Sequence, residues 1–365
     1  GGERGMGCGK SRPQEGAAHA PASAGPVPAA QALDPEETAY LERGVVLGPK
    51  LLHEDGYVDM REGTLKAAPA SRVLIFNISS DHPRYRADAL RRESERAKGL
   101  THPAVLTVHN SWEDGEGFHV VEELPGGKVL LEELMHNWAS FSERDVVFVI
   151  SKVLDGISYL HSKGVSHREL NVGTVYVNRG EGCEGGGTVK LVDYALCSLR
   201  EQEDAASLRK AEYPPYHYAP EAIVDEYVER PDEDFFAADS WAVGVMTYAL
   251  MSGNPPIRSE DRRELVKKLR GGEIAWSEDV WARCPQAKEF VGGMLTVDVH
   301  QRATPDALSK HPWLCQASER SAESLNIGES LGKYRARTRQ RRLKHVVRGM
   351  TAAARMAKGL GVPAA

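Results

Sequence analysis

The first part of the chain with regularly spaced apolar residues has the pattern of short β-strands. Between residues 41 and 124, apolar residues form short runs rich in β-branched and aromatic side chains, such as residues 71–77 and 118–122. One stretch, residues 83–100, interrupts these runs, and its density of Arg and Glu favours a helix. The pattern therefore predicts a small, mostly β-stranded unit with a single helix in it.

After Gly126 the apolar spacing becomes helical. A helix capped by Ser140 or Ser142 is predicted from an apolar series with 3.6-residue periodicity, which comprises Val146, Val149, Ile150, Val153, Leu154, Ile157 and Leu160. The Gly-rich residues 180–187 predict a loop between two short strands, and the apolar residues 241–251 predict a buried helix. The fold class expected from the whole pattern is α+β, with a β-rich part followed by a larger helical part.

Composition changes this picture mainly at the N-terminus. The 365 residues are 41% hydrophobic and 27% charged, as in an ordinary globular protein. Residues 1–36 are rich in Ala, Pro and Gly, and they hold too few large apolar side chains to offset the entropy of ordering, which predicts disorder. The five cysteines are scattered and odd in number, which favours a reducing, cytoplasmic location.

Charge is distributed unevenly along the chain. Residues 331–365 carry ten Lys or Arg and no Asp or Glu, and since the whole chain is at −6, the rest is at −16. Within residues 331–360 the apolar positions follow helical spacing, so a predicted helix has one apolar face and one basic face. Such a helix binds a calmodulin-like protein or an anionic membrane surface, or it packs on its own protein. No feature predicts a nucleic-acid partner.

The most informative motif is residues 167–174, which read HRELNVGT. They resemble the H-R-D-L-x-x-x-N catalytic loop of protein kinases, in which the Asp accepts the substrate hydroxyl's proton and the Asn holds Mg²⁺. Here Glu169 stands at the Asp position and Thr174 at the Asn position. The resemblance therefore implies the kinase scaffold while putting its chemistry in doubt.

Further motifs support the resemblance and extend it over residues 45–316. Residues 219–221 match A-P-E, residues 239–244 match D-x-W-x-x-G, and Gln301-Arg302 with residues 311–313 resemble the closing segment of calcium/calmodulin-regulated kinases. The resemblance implies a two-lobed protein kinase fold with an N-lobe at 37–124, a C-lobe at 125–316 and a regulatory junction at 317–365. The residues it assigns to structural roles are His167, Arg168, Glu221, Asp239 and Arg302, with Glu221 and Arg302 forming a buried ion pair.

The positions that hold nucleotide in this family have lost their usual residues. Counting along the third strand run puts Ile75 at the position of the phosphate-contacting Lys and Val73 at the Ala that lines the adenine pocket. Glu93 fits the helix Glu that pairs with that Lys, and Val121 is assigned beside the cofactor. Without the Lys, Glu93 is either a solvated carboxylate or a partner of Arg96.

The phosphate-binding loop is also changed. The three family glycines fall on His53, Asp55 and Val58, whose side chains would keep backbone N–H groups away from phosphate. Kinases of the with-no-lysine type move the Lys to a neighbouring strand, a role open here to Arg61 or Lys66.

The remaining motifs keep a part of the chemistry. Asp193 retains the carboxylate of D-F-G, now Asp-Tyr-Ala, and is either a Mg²⁺ ligand or a structural loop carboxylate. Glu169 is one methylene longer than the family Asp, and a displacement of about 1 Å costs about 10²-fold in rate. Asn171 replaces a phosphate-contacting Lys, and Pro214 replaces the Thr that positions the substrate.

These losses affect separate tasks, so the prediction is a pseudokinase of the calcium-dependent kinase type that acts as a regulator or scaffold. The alternatives are a weakly active Ser/Thr kinase, and a pseudokinase that binds ATP without transferring phosphate. ATP and Mg²⁺ are the only cofactors the resemblance implies.

Residues 6–11, Met-Gly-Cys-Gly-Lys-Ser, fit the N-myristoylation pattern if Met6 is the first residue translated. Gly7 would then carry myristate and Cys8 palmitate, and two chains anchor a protein stably to a membrane. The alternative is a plain flexible tail.

Overall fold

The computed structural model describes residues 35–54, 57–137, 141–179, 187–196, 199, 216–223, 232–259, 261–276, 279–316 and 322–325. The predicted disorder of residues 1–36 falls almost entirely outside these ranges, as do Gly7, Cys8 and the basic residues 331–360. Among the described residues, no helix is long and apolar enough to cross a bilayer.

The N-terminal lobe is one antiparallel sheet with two helices. Five strands lie in the order β1-β2-β3-β5-β4. Their bounds are β1 Val45–Glu54, β2 Val58–Leu65, β3 Ala68–Ser79, β4 Val108–Glu113 and β5 Gly117–Glu123, and the helices are α1 Pro35–Glu42 and α2 Ala87–Ala97. Helix α2 is shorter at both ends than the predicted residues 83–100, and α1 begins inside the segment predicted to be disordered.

The two faces of this sheet pack against different helices, because successive side chains on a strand point to opposite faces. Leu74, Phe76 and Ile78 of β3 belong to the same buried cluster as Leu90 of α2. The alternate residues of β3 lie on the other face, in a separate small core beneath Tyr40 of α1. The face towards α2 is continuous with the core of the second lobe, so it is the face that meets the space between the lobes.

The C-terminal lobe is mainly helical with a small sheet, β6-β7-β8. The strands are β6 Lys128–Val129, β7 Val175–Asn178 and β8 Thr188–Leu191. The helices are α3 Leu130–Asn137, α4 Glu143–Ser162, α5 Phe236–Ser252, α6 Arg262–Gly271, α7 Val280–Arg283, α8 Pro285–Met294, α9 Pro305–Leu308 and α10 Pro312–Cys315, with 3₁₀ turns at Pro220–Ala222 and Asp232–Phe235.

Two of these helices confirm sequence predictions. Ser142 caps α4 through a capping box, in which its side chain accepts from the N–H of Asp145 and the Asp145 carboxylate accepts from the N–H of Ser142. Helix α5 is buried around most of its circumference, as the apolar run predicted, and its C-terminal cap is Gly253, which has φ 72°. These two helices pack against each other and form the centre of the lobe that carries the loop at residues 166–174.

Candidate active site between the lobes

One buried carboxylate on α5 anchors the backbone of the loop at residues 166–174. Asp239 on α5 is 1% exposed and accepts hydrogen bonds from the backbone N–H groups of His167 and Arg168, each at 2.8 Å. The Nε2 of His161 lies 2.9 Å from the same carboxylate. Arg168 has φ 62°, an uncommon conformation for a residue other than Gly, and its guanidinium lies over the ring of Phe235. The loop is therefore held in a fixed conformation.

Glu169, at the general-base position, is contacted by side chains from the segment before the A-P-E motif. Its Oε1 accepts a hydrogen bond from the hydroxyl of Tyr218 at 2.5 Å. Its Oε2 lies 3.3 Å from Nε2 of His217, close enough for an ion pair when the ring is protonated, although the angle is not that of a hydrogen bond. The carboxylate is part of a compact cluster and is only 14% exposed.

Thr174, at the position of the metal-binding Asn, uses its hydroxyl within its own loop. Oγ1 accepts from the N–H of Asn171 at 3.0 Å and lies 3.1 Å from the carbonyl oxygens of Glu169 and Asn171, to which it can donate. Asn171 is also occupied locally, since its amide donates to the Glu169 carbonyl and accepts from the N–H of Gly173. Thr174 is 3% exposed, so its hydroxyl is poorly placed to hold a metal ion.

The Asp-Tyr-Ala sequence at residues 193–195 is buried in the structure. Asp193 has φ 70° and is 8% exposed. The hydroxyl of Tyr194 donates to the carbonyl of Leu106 at 2.7 Å, and burial raises the pKa of Tyr194. Burial, followed by the nearby charge of Asp193, raises the pKa of Tyr176 on β7. Both predicted roles of Asp193, as metal ligand and as structural carboxylate, stay predictions.

Ile75 and Val121, which were assigned to the nucleotide pocket, pair across the sheet and share one of its faces, and their assignment stays a prediction. Both side chains are fully buried on the face away from α2, in the small core with Val73 and Tyr40. A one-residue difference in register moves a strand's side chain to the opposite face. The β3 side chain that faces α2 is therefore Phe76, which like Ile75 has no charge to offer a phosphate.

The proposed substitutes for the missing Lys also lie elsewhere. Arg61 pairs directly with Ile75 across the ladder, so it lies on the outer face, where its guanidinium is 3.1 Å from Glu36 of α1. Lys66 is exposed in the turn between β2 and β3. Glu93 lies on α2 and is half-buried. Neither cation is on the sheet face that Phe76 occupies.

Residues around the predicted phosphate loop form the end of a long hairpin. His53 on β1 pairs with Asp59, and Val58 begins β2 opposite Glu54. Asp55 lies outside the described residues, as does Pro214. Neither of the two family glycine positions that the structure describes, 53 and 58, holds a glycine, and the backbone of both is paired in the hairpin.

The predicted ion pair next to the site is formed, with the arginine buried and the Glu221 side chain 24% exposed. Arg302 donates to both carboxylate oxygens of Glu221, at 2.5 and 2.9 Å. The same guanidinium donates to the carbonyl oxygens of Thr296, Ala237 and Val297, and its side chain is 0% exposed. This pair fixes the 3₁₀ turn that follows Tyr218, and so positions the segment that contacts Glu169.

The structure adds Tyr218 and His217 to the site, which the sequence did not assign, and it makes Phe76 a second candidate on β3. Phe76 was missed because counting along a strand does not show which face a side chain takes. Tyr218 and His217 were missed because they meet Glu169 from about fifty positions further along the chain. The one hint in the sequence was that His217 and Tyr218 lie in the segment before A-P-E, where this chain departs from the family motif.

Taken together, these residues do not fit Mg²⁺-ATP as kinases bind it. On the sheet face towards α2, Phe76 of β3 offers no charge, and the hydroxyl of Thr174 is hydrogen-bonded within its own loop. The general-base carboxylate is already hydrogen-bonded to Tyr218.

Comparison with known proteins agrees with the motifs. The family model described as protein kinase domain matches residues 73–314. Serine/threonine-protein kinase H1 homolog of Danio rerio is 30% identical over 262 residues, covering 71% of this chain and 59% of that protein. Calcium/calmodulin-dependent protein kinase type 1 of Macrobrachium nipponense is 27% identical over 299 residues, covering 81% and 82%. The chain thus spans less than two thirds of the first of these relatives.

Solved structures confirm the architecture. The autoinhibited serine kinase domain of the giant muscle protein titin superposes with a TM-score of 0.65 at 18% identity, covering 81% of this chain and 88% of that one. Rad53 residues 1–466 in complex with AMP-PNP superposes with a TM-score of 0.58 at 20% identity, covering 75% and 66%. The predicted two-lobed fold, a β-sheet N-lobe with a helical C-lobe, is confirmed.

Proposed function

Because this chain belongs to the protein kinase family, we propose that it works as a kinase-fold regulator or scaffold, a pseudokinase of the calcium-dependent type. In this proposal the protein acts by binding a partner protein and does not transfer phosphate. The relatives named above bear the names of protein kinases, so the proposal rests on the site of this chain and not on its fold.

The observation that carries the proposal is the apolar side chain of Phe76. It lies with Leu74 and Ile78 on the sheet face towards α2, where a kinase needs a cation for the phosphates. Phosphoryl transfer depends almost entirely on positioning and on electrostatic stabilisation of the phosphoryl oxygens. A phenyl ring supplies neither a charge nor a hydrogen-bond donor, so a triphosphate loses its principal fixed cation here.

The loop residues support the same proposal from the opposite side of the cleft. Thr174 would have to give up a hydrogen bond within its loop in order to ligate a metal ion. Glu169 would have to lose the hydroxyl of Tyr218 before it could accept a proton from a substrate. Each of these changes breaks a hydrogen bond and so costs free energy before metal or substrate can bind.

The second candidate is a weakly active Ser/Thr kinase. It is favoured by the two carboxylates that persist, Glu169 at the general-base position and Asp193 in the former D-F-G sequence. A pseudokinase that binds ATP without transferring phosphate is the intermediate case. Nucleotide binding and phosphate transfer must therefore be measured separately.

Nucleotide binding is tested by thermal unfolding of the full chain with ATP and Mg²⁺, ATP with chelator, and neither. A ligand at about 100 times its Kd stabilises the folded state by about 2.7 kcal/mol. For a domain of this size that raises the melting temperature by several degrees, about 2–4 °C for each kcal/mol. We expect no shift in any condition, and a Mg²⁺-dependent rise would establish one of the two alternatives.

Phosphate transfer is tested with ATP labelled on its terminal phosphate and a basic peptide acceptor. Wild type and Glu169→Gln form the matched pair, since the substitution keeps size and removes the carboxylate. We expect equal background incorporation from both. Incorporation by wild type that Glu169→Gln abolishes would establish the weakly active kinase and overturn the pseudokinase proposal.

For a partner, we propose a calmodulin-like protein that binds the basic segment at residues 331–360. The support is the alternation of basic and apolar residues in that segment, together with relatives whose names include calcium/calmodulin-dependent kinases. An anionic membrane surface is the competing occupant, and it would be reinforced by acylation at Gly7 and Cys8, which stays a prediction.

The full chain and a variant ending at residue 325 form the test pair for this segment. We expect Ca²⁺-dependent capture of the full chain on immobilised calmodulin, with no capture of the shortened variant. Binding that persists in chelator, together with equal binding to vesicles containing phosphatidylserine, would support the membrane instead. Intact-mass measurement after expression in eukaryotic cells tests the acylation.

A further inference from the structure

Both carboxylate oxygens of Glu169 face side chains of one short segment, residues 216–218. The Tyr218 hydroxyl donates to Oε1 at 2.5 Å, and the His217 ring places Nε2 at 3.3 Å from Oε2. The two aromatic rings also pack on each other, with centroids 4.4 Å apart. The segment thus covers the carboxylate with a hydroxyl on one side and an imidazole on the other.

The hydroxyl of Tyr218 has the chemistry of a kinase acceptor. In phosphate-transferring kinases the carboxylate at the position of Glu169 accepts a hydrogen bond from the substrate's hydroxyl. We propose that Tyr218 is a built-in acceptor mimic, whose phenol hydroxyl occupies that place on Glu169 and closes the site to hydroxyl groups from outside. This inference deepens the proposed function and rests on it, because it describes how the unused general-base position is filled.

The mimic is rigid on the side of Tyr218. The ring is 7% exposed and belongs to the main hydrophobic core. The next residue, Ala219, is 1% exposed and leads into the 3₁₀ turn that Glu221 and Arg302 fix. A side chain held by the core and by a buried ion pair does not leave the carboxylate by a simple change of rotamer.

On the other side of the hydrogen bond, the backbone of Glu169 is anchored. The carbonyl oxygen of Glu169 accepts from the Asn171 amide at 2.8 Å, and Asp239 holds the two preceding backbone N–H groups. The extra methylene of Glu, relative to the family Asp, extends the carboxylate away from this anchored backbone towards the hydroxyl. An external hydroxyl would form the same kind of hydrogen bond to this carboxylate, but it would first have to displace the Tyr218 hydroxyl, which the core already holds in place.

Carboxyl footprinting tests the mimic directly in the full chain. A water-soluble carbodiimide with glycine ethyl ester labels accessible carboxylates, and mass spectrometry reads the rate at Glu169. Tyr218→Phe should raise that rate about tenfold, the change expected from loss of a hydrogen bond to a charged group. Tyr194→Phe is the matched control, because it removes a buried phenol hydroxyl that bonds a backbone carbonyl instead.

An unchanged rate at Glu169 in a folded Tyr218→Phe variant would overturn the proposal. If that variant does not fold, Glu169→Asp gives the reciprocal measurement. Its shorter side chain should release the Tyr218 hydroxyl and raise its acetylation by N-acetylimidazole about tenfold, with Tyr194 in the same sample unchanged. Equal acetylation of Tyr218 in both proteins would overturn the mimic. These readouts do not involve phosphate transfer, so failure of the mimic and failure of the proposed function are distinguishable.

Discussion

Replacement of Glu221 by Gln tests whether the ion pair between Glu221 and Arg302 stabilises the segment around Tyr218. Gln keeps the size of the side chain and removes its charge. Arg302 would then keep a guanidinium that is 0% exposed and has lost its only described carboxylate partner. The substitution therefore leaves a buried cation without compensation, and the folded state must lose stability.

The structure sets the size of this loss. Removing one partner of a buried ion pair costs about 3–5 kcal/mol. Three backbone carbonyls, those of Thr296, Ala237 and Val297, still accept from Arg302 in the variant and soften the penalty. The expected loss is therefore near the lower limit, about 3 kcal/mol, with a fall in melting temperature of about 6–12 °C.

Urea unfolding followed by circular dichroism measures the change in free energy. The matched control is Glu113→Gln, because Glu113 also forms a 2.5 Å contact with an arginine, Arg91, but the Arg91 side chain is 53% exposed. An exposed pair contributes about 0–1 kcal/mol, so the control should lose no more than that. The difference between the two variants isolates the effect of burial.

A loss below about 1 kcal/mol for Glu221→Gln would refute this reasoning. It would mean that the carbonyl oxygens alone satisfy the buried guanidinium, or that the turn opens and hydrates it. A double-mutant cycle with Arg302→Met separates the two, since a strong coupling energy requires a direct interaction between the side chains.

Three other predictions concern single local features. Ser142→Ala should cost about 1 kcal/mol in urea unfolding, because the N-cap of α4 loses its side-chain acceptor. Gly127→Ala should cost at least about 1–3 kcal/mol, because φ is +90° and a Cβ would lie 2.3 Å from a β7 carbonyl, whereas Gly126→Ala has open space around it. Burial acts to raise the pKa of Asp114, but the His119 ring, whose Nε2 lies 3.0 Å from the carboxylate, and hydrogen bonds from backbone N–H groups outweigh it and lower the pKa. Stability from ionised Asp114 is thus present above its unfolded pKa of about 3.9 and lost as pH falls below it, so Asp114→Asn should flatten acid unfolding there.

The fold was largely predictable from local signals. The 3.6-residue spacing before Leu160, with Ser142 as its cap, gave α4 almost to the residue, because capping and amphipathic spacing are properties of a short window. Helix α1 was not predicted, because its eight residues show no amphipathic pattern. Tyr40 anchors it by hydrogen-bonding Asn77 and lying 3.0 Å from Nδ1 of His119, contacts that span 37 and 79 positions.

The site was predictable only where a motif fixes the backbone. The positions of Glu169, Asp193 and Arg302 follow from short patterns with little room for insertion. The β3 assignment stays a prediction, because a count along a strand is sensitive to a single added residue, and one residue exchanges Ile75 for Phe76 and one face for the other. The loss of the phosphate cation stands in either register, since both side chains are apolar.

The altered positions share a property that no motif shows. When a catalytic residue is simply lost by substitution, the new side chain need not form any contact with its neighbours. Here Phe76 packs in the main core, the Thr174 hydroxyl bonds its own loop, and Glu169 accepts from Tyr218. Nucleotide and acceptor would have to break these contacts, and each hydrogen bond lost leaves a buried polar group at a cost of about 1–3 kcal/mol. The same contacts stabilise the fold, which is what the proposed regulator or scaffold would need in order to present a fixed surface to a partner.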